Sequence, residues 1–182
     1  MTYFCGNFKI NTMKKIELSP DQQKVLSLLK DDTIREVKYS ANLCYGKTWV
    51  GCVWVLTECL QKKKFFGITI NKGDERQFLR TFNLVAQHYG FNENIKYNEI
   101  NRTFDFNNTK SIVYLLNAEM QKADEKYERW GAFELDGVFI DNLNDLHHNA
   151  YLMLRSRTNK LYITNIAKNR SIDTLNSLWI KK

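Results

Sequence analysis

Apolar positions along the chain change period several times, and each change marks an element. Residues 18–30 open with Ser19 and Pro20, a cap and a first-turn residue, then set Val25, Leu26, Leu28 and Leu29 along one helical face. Residues 34–39 bring Ile34, Val37 and Tyr39 together in a short run that predicts a strand. Residues 49–60 are apolar enough for a largely buried helix. Residues 65–70, Phe65-Phe66-Gly67-Ile68-Thr69-Ile70, form an apolar run between a lysine cluster and Asn71-Lys72-Gly73, the pattern of a buried strand. Residues 74–89 return to helical period, with Phe78, Leu79, Phe82, Val85 and Ala86 on one side. Strand and helix thus alternate as in βαβ units, which imply a parallel sheet covered on both faces.

The second half changes character. Residues 95–99, 103–106 and 111–116 predict three strands, with Asn107-Asn108 as a hairpin turn between the last two. Residues 118–129 are rich in charge and predict a surface connection. An apolar strand then runs through Val138-Phe139-Ile140 to Asp141, a helix is expected over 145–157, and a strand over 161–165. The expected fold class is α/β, with a mostly parallel sheet, helices on both faces and an inserted β-hairpin.

Composition narrows this picture only a little. The 182 residues, 43% hydrophobic and 13% aromatic, suit one folded domain, and the single proline, Pro20, leaves no proline-rich linker. Residues 18–182 are expected to form that domain, with residues 1–17 as an N-terminal extension. The net charge of +7 favours polyanionic partners in a general way, although Lys62-Lys63-Lys64 and Lys181-Lys182 fit a solvated face equally well. Cys5, Cys44, Cys52 and Cys59 follow neither a disulfide nor a C-x-x-C pattern, and core packing accounts for Cys52 and Cys59. No secretory signal opens the chain, and no apolar run approaches the roughly 20 residues of a membrane helix. A cytoplasmic location is expected.

The chemistry concentrates in Ala41-Asn42-Leu43-Cys44-Tyr45-Gly46-Lys47-Thr48, which matches the phosphate-binding loop G-x-x-x-x-G-K-S/T at every fixed position but the first. A strand enters this segment and a helix leaves it, the context the motif requires. Backbone N–H groups of such a loop face an anion, the Lys47 ammonium reaches terminal phosphates, and the Thr48 hydroxyl suits magnesium. Ala41 stands where the first glycine belongs, and its methyl narrows the backbone choices.

A nucleotide triphosphatase also needs a carboxylate near its magnesium and a group to orient the attacking water. Asp141, delivered at the carboxyl end of an apolar strand, fits the first need. The residue after it, where many P-loop ATPases carry glutamate, is Asn142, which can hold water but cannot take its proton. Asp145, Glu134 and Asp136 are the substitutes at hand, with Asp145 the best placed in sequence. The adjacent His147 and His148 lack a third ligand and predict surface residues rather than a metal site.

Together these residues resemble the ATPase domain of the large terminase subunit of tailed phages, the motor that drives DNA into a procapsid. The resemblance spans residues 18–165. Leu18-Ser19-Pro20-Asp21-Gln22 is similar to the family's opening motif, which implies adenine recognition by Gln22. Residues 37–49 resemble its strand and phosphate loop, including Trp49. Residues 103–112 resemble the hairpin before the acidic strand, and residues 130–141 the run into the Walker B aspartate. Thr164-Asn165 resembles the coupling motif, which implies sensing of the γ-phosphate. Departures fall at Ala41, Asn71, Asn142 and Ile166, and little chain follows the coupling motif, so no nuclease domain is expected.

What the resemblance implies is a terminase-like P-loop ATPase domain binding ATP and Mg²⁺ through Lys47, Thr48 and Asp141, with hydrolysis weakened or lost at Asn142. The implied partners are double-stranded DNA, a procapsid or portal, another terminase subunit, or copies of itself in a ring, in the cytoplasm of a phage host. The alternative is a non-catalytic relative that binds and regulates a packaging motor. Arg155 and Arg157 offer themselves as arginine fingers, but a helix-end pair contacting solvent or carbonyls explains them better.

Overall fold

The computed structural model describes residues 17–41, 46–121, 123–166 and 176–181. Helix α1 (Pro20–Lys30) starts where Ser19 predicts. The Ser19 hydroxyl accepts from the Gln22 N–H at 3.3 Å, and the Gln22 carboxamide oxygen accepts from the Ser19 N–H at 2.8 Å, a reciprocal cap. Strand β1 (Glu36–Ala41), helix α2 (Lys47–Gln61), strand β2 (Phe65–Ile70) and helix α3 (Glu75–His88) follow. Then come β3 (Ile95–Asn98), β4 (Thr103–Phe106), β5 (Ile112–Asn117), β6 (Gly137–Ile140), α4 (His148–Ser156), β7 (Leu161–Ile166) and β8 (Asn176–Lys181).

The strands form one sheet in the order β3-β4-β5-β2-β6-β7-β1-β8. Its centre, from β5 through β1, is parallel, as the alternation of strand and helix requires. The hairpin strands belong to the same sheet: β5 pairs with β2 in parallel, and β4 and β3 add antiparallel strands beyond it. Thr69 is level with Ile140, Ile140 with Ile163, and Thr164 with Tyr39. The carboxyl ends of β2, β6, β7 and β1 therefore share one edge, the edge where parallel sheets bind ligands.

Alternation along β6 and β7 divides the core. Phe139 and Tyr162 join α1, α2 and α3 on one face, while Val138, Ile140, Leu161 and Ile163 pack with Ala150 and Leu154 of α4 on the other. Cys52 and Cys59 are buried free thiols in the first layer, as packing predicts. Helix α2 lies so close to the sheet that a Cβ added at Gly51 would stand 2.4 Å from Cε1 of Phe139.

Two expectations need correction, and one strand went unforeseen. Residues 118–129 are more than a surface connection. Tyr127 is buried beside Trp130 of the next turn, its hydroxyl donates to the Ala118 carbonyl at 3.0 Å, and Arg129 lies over both rings while pairing with Asp124. Two aromatic anchors outweigh the charge around them. The helix expected from 145 starts at His148, because Asn142 takes a left-handed conformation (φ 64°, ψ 83°) and a 3-10 turn, Leu143–Asp145, intervenes. The unforeseen strand is β8, which pairs antiparallel with β1, and the Lys38 ammonium sits 4.6 Å from the Trp179 ring centroid.

Candidate functional site

Strand β1 and helix α2 flank the phosphate-loop sequence as expected, with the helix beginning at Lys47 itself. Asn42, Leu43, Cys44 and Tyr45 lie outside the described residues. Ala41 is the last residue of β1, buried and paired with β7 and β8. An alanine is at home in that extended position, so the missing first glycine costs no backbone strain there. Gly46, by contrast, has φ 69°, and a Cβ on it would meet the Gln22 carboxamide nitrogen at 2.2 Å. Glycine is needed at that point both for the left-handed backbone and for the approach of Gln22. The side chain implied for adenine recognition thus lies against the turn that opens α2, held in place by its part in the α1 cap.

The Lys47 ammonium donates to the Ala41 carbonyl at 2.8 Å, spanning the loop from helix to strand. One residue on, the Thr48 hydroxyl stands 3.1 and 3.0 Å from the two oxygens of Asp141. Asp141 leaves the carboxyl end of β6, and Thr164 of the neighbouring β7 donates to it at 2.9 Å. The same Thr164 oxygen accepts the Asn142 N–H at 2.9 Å. Three stretches far apart in sequence, at Thr48, Asp141-Asn142 and Thr164, are thereby joined in one hydrogen-bonded cluster at the sheet edge. The buried Tyr162 hydroxyl adds a bond to the Lys47 carbonyl at 3.1 Å, tying the start of α2 to β7.

The donor set suits magnesium. A hydroxyl and a carboxylate are hard oxygen donors, and two protein ligands suffice for an ion that keeps waters and phosphate oxygens. Among the described residues no group of three or more His, Cys, Asp and Glu side chains gathers for a metal, so nothing resembles a self-sufficient cage. His147 caps α4 through Nδ1 and stacks on Tyr127, which agrees with its expected structural role.

Burial pushes the Asp141 carboxyl above the usual carboxylate range, against the hydrogen bonds of Thr164 and Thr48 and the Lys47 charge; Asp74 raises it further. The sign of the linkage follows. The folded chain holds this proton to higher pH than the unfolded chain, so the contribution of Asp141 to stability falls as pH rises from about 4 through the raised folded value. Asp141→Asn is expected to raise the melting temperature of the ligand-free protein by a few degrees at neutral pH, with no gain at pH ~3. Thermal melts of both proteins across that range check it. A melting temperature lowered at neutral pH would contradict the assignment.

Thr164 is a second test of the cluster. Thr164→Val keeps the shape but removes the acceptor of the Asn142 N–H and one of the two hydroxyls on Asp141 Oδ1, at an expected cost of about 1–3 kcal/mol. Urea unfolding reads this directly, and a change near zero would show that water replaces the hydroxyl.

Asn165 pairs with Ser40 of β1, one residue before the pairing ends at Ile166 and Ala41, at the same edge. Asp145 closes the 3-10 turn after Asn142, and its side chain lies outside the described residues. The other two candidate bases are elsewhere. Asp136 precedes β6, accepts the Phe65 N–H at 2.8 Å and pairs with Lys64 at 3.4 Å, so it sits with Glu134 toward the amino ends of the strands. Arg155 pairs with Glu36 at 3.8 Å, at the end of β1 away from the loop, so its partner is a carboxylate in place of the solvent or carbonyls expected.

Sequence reasoning missed the far wall of the site. A cleft of about 290 Å³ has Thr48, Asp141 and Asn142 on one side and Asp74, Gln77 and Thr81 of the α3 region on the other. The signal for Asp74 was present only as topology: the residues after β2 open on the same edge as those after its neighbour β6.

No protein-family model matches the chain, and no curated protein matches its sequence. Solved structures do match. The large terminase of a thermophilic bacteriophage superposes with a TM-score of 0.66 at 16% identity, covering 82% of this chain and 39% of that one. That terminase has also been solved with ATP-gamma-S and with ADP. The HK97 bacteriophage large terminase gives 0.62 at 11% identity, over 85% of this chain and 34% of that one. The N-terminal domain of the DNA packaging ATPase from bacteriophage phi29 gives 0.53 at 16% identity, over 84% of this chain and 82% of that one. The chain therefore spans well under half of the two large terminases, and its fold is that of the ATPase region of phage DNA-packaging proteins.

Proposed function

We propose that the chain is a terminase-like nucleotide-binding domain that holds Mg–ATP at the carboxyl edge of its sheet. The observation that carries this reading is the bonding of Thr48 to Asp141, 93 residues apart in sequence, directly beside a lysine that spans the loop. Lys47 would meet the terminal phosphates, the N–H groups at the start of α2 would face them, and Gln22 lies where a base adjoining that turn can be recognised. Thr48 and Asp141 would hold magnesium, which supplies charge neutralisation on the β- and γ-phosphate oxygens. Thr164 orients Asp141, and Asn165 stands beside it as a γ-phosphate sensor. Chemically the same edge suits hydrolysis of the terminal phosphate.

Isothermal titration of the protein with ATP, with and without Mg²⁺, tests the reading. Saturable binding that Mg²⁺ strengthens, and that Asp141→Asn makes insensitive to Mg²⁺, is the expected result. No heat with millimolar Mg–ATP would overturn it.

Asn142 favours the second reading, a domain that binds nucleotide and regulates a packaging motor without turnover. Its left-handed backbone suits asparagine, whereas a glutamate there would bear about 1–2 kcal/mol of strain. Under either reading the expected partners are double-stranded DNA, a portal or procapsid, a terminase subunit or further copies of the chain, in a host cytoplasm. Among the described residues no helix is long and apolar enough to cross a membrane.

A further inference from the structure

Resting on the nucleotide-binding reading above, we propose that Asp74 orients and deprotonates the water that attacks the γ-phosphate of ATP, the task Asn142 cannot perform. The argument begins with strand order. β2 and β6 are parallel neighbours with Thr69 level with Ile140, so Asn71 emerges beside Asn142 at the same edge. The Asp74 N–H then donates to the Asn71 carbonyl at 3.0 Å, a tight turn that keeps Asp74 over that edge. Asp74 lines the cleft shared with Thr48, Asp141 and Asn142.

Asp74 occupies the position before the first turn of α3, where aspartate ordinarily accepts a backbone N–H of the helix it opens. Here it makes no such bond. A side chain fitted for capping has been left out of the cap and exposed within the cleft, where water can reach it. Of the acids around β6, Asp136 is committed to Phe65 and Lys64 at the other end of the sheet. Asn142 remains suited to the complementary duty, since an amide can hold the same water by hydrogen bond without accepting its proton.

In the step itself the water oxygen forms a bond to the γ-phosphorus. The bond from that phosphorus to the β–γ bridging oxygen breaks, its electron pair staying with ADP. The proton released by water passes to an Asp74 carboxylate oxygen and then to solvent, leaving ADP and inorganic phosphate.

The test compares parent, Asp74→Asn and Asp74→Glu in two measurements, titration with Mg–ATP and Mg–ADP and single-turnover release of phosphate. Asn retains capping ability, and circular dichroism confirms that each variant is folded. Asp74→Asn is expected to slow turnover about 10²–10⁴-fold. It should also bind Mg–ATP several-fold tighter while leaving Mg–ADP unchanged, because a negative charge facing the γ-phosphate has gone. Asp74→Glu should recover part of the rate.

Parent protein that binds Mg–ATP without turning it over would overturn the role of Asp74 and leave the binding reading intact. So would undiminished turnover in Asp74→Asn, or loss of turnover in Asp145→Asn instead. Equal loss of ATP and ADP affinity in Asp74→Asn would assign the residue to structure and also overturn the proposal. Absence of ATP binding in the parent is a different failure, that of the nucleotide-binding reading on which the proposal rests.

Discussion

Lys47→Ala is expected to lower ATP affinity by at least two orders of magnitude, while the protein folds and melts almost as the parent does. The two halves of this expectation have separate causes. In the ligand-free fold the ammonium makes a bond to the Ala41 carbonyl, partly exposed to water. Losing a half-solvated hydrogen bond costs about 0.5–1.5 kcal/mol, and the vacated carbonyl can be hydrated. In the complex the same ammonium would face the terminal phosphates directly. Removing one side of a charged pair of that kind costs about 2–5 kcal/mol. Titration calorimetry and a thermal melt on the same sample separate the effects. Affinity within threefold of the parent would mean that the nucleotide does not sit on this loop.

The second large effect concerns a glycine far from any ligand. Gly51→Leu is expected to abolish folding, and Gly51→Ala to destabilise by about 1–3 kcal/mol, a loss that the better helix propensity of alanine offsets by about 1 kcal/mol. A Cβ there meets Phe139 at 2.4, 2.5 and 2.8 Å. The ring has little room to retreat, being stacked on Tyr162 at 5.1 Å and bordered by Phe78 at 6.4 Å. Relief must come from lifting α2, and α2 carries Lys47 and Thr48 at its first turn. Weakened ATP binding should therefore accompany the lower stability of Gly51→Ala. Phe139→Leu, which opens space beside Gly51, should restore part of both losses in a double-mutant cycle. Strict additivity of the two substitutions would show that the contact does not set the helix position.

Much of this arrangement was legible in the sequence because local signals and global fold agree. Ser19 and Gln22 announce the first cap, the GKT turn lies between a strand and a helix, and the apolar run before Asp141 can only be a buried strand. What stayed hidden depends on neighbours. β8 opens on two polar residues and ends in a lysine, and its status as a strand comes from pairing with β1. Tyr127 and Trp130 are two aromatic residues in a charged stretch, and only packing against the α4 face reveals them as core. Asp74 resembles any helix-start carboxylate until strand order sets it opposite Asp141. Ala41 was the reverse case: its departure from the loop pattern looked costly, and its place at the end of β1 removes the cost.

The sheet order also bears on how the molecule assembles during synthesis. β2 and β5, with β4 and β3 beyond them, lie between residues 65 and 117 and can pair as soon as that segment has left the ribosome. β1 is made earlier than all of them, yet its two partners are β7 and β8, which begin at Leu161 and Asn176. The strand that enters the phosphate loop must therefore wait, unpaired, until almost the whole described chain exists. Closing so long a loop is entropically slow, and long-range parallel pairing is slow in general. Assembly should run from the β3 side of the sheet toward β8, with β1 among the last strands to pair. Nucleotide would then act on the finished molecule, slowing its unfolding, and leave the rate of folding almost untouched.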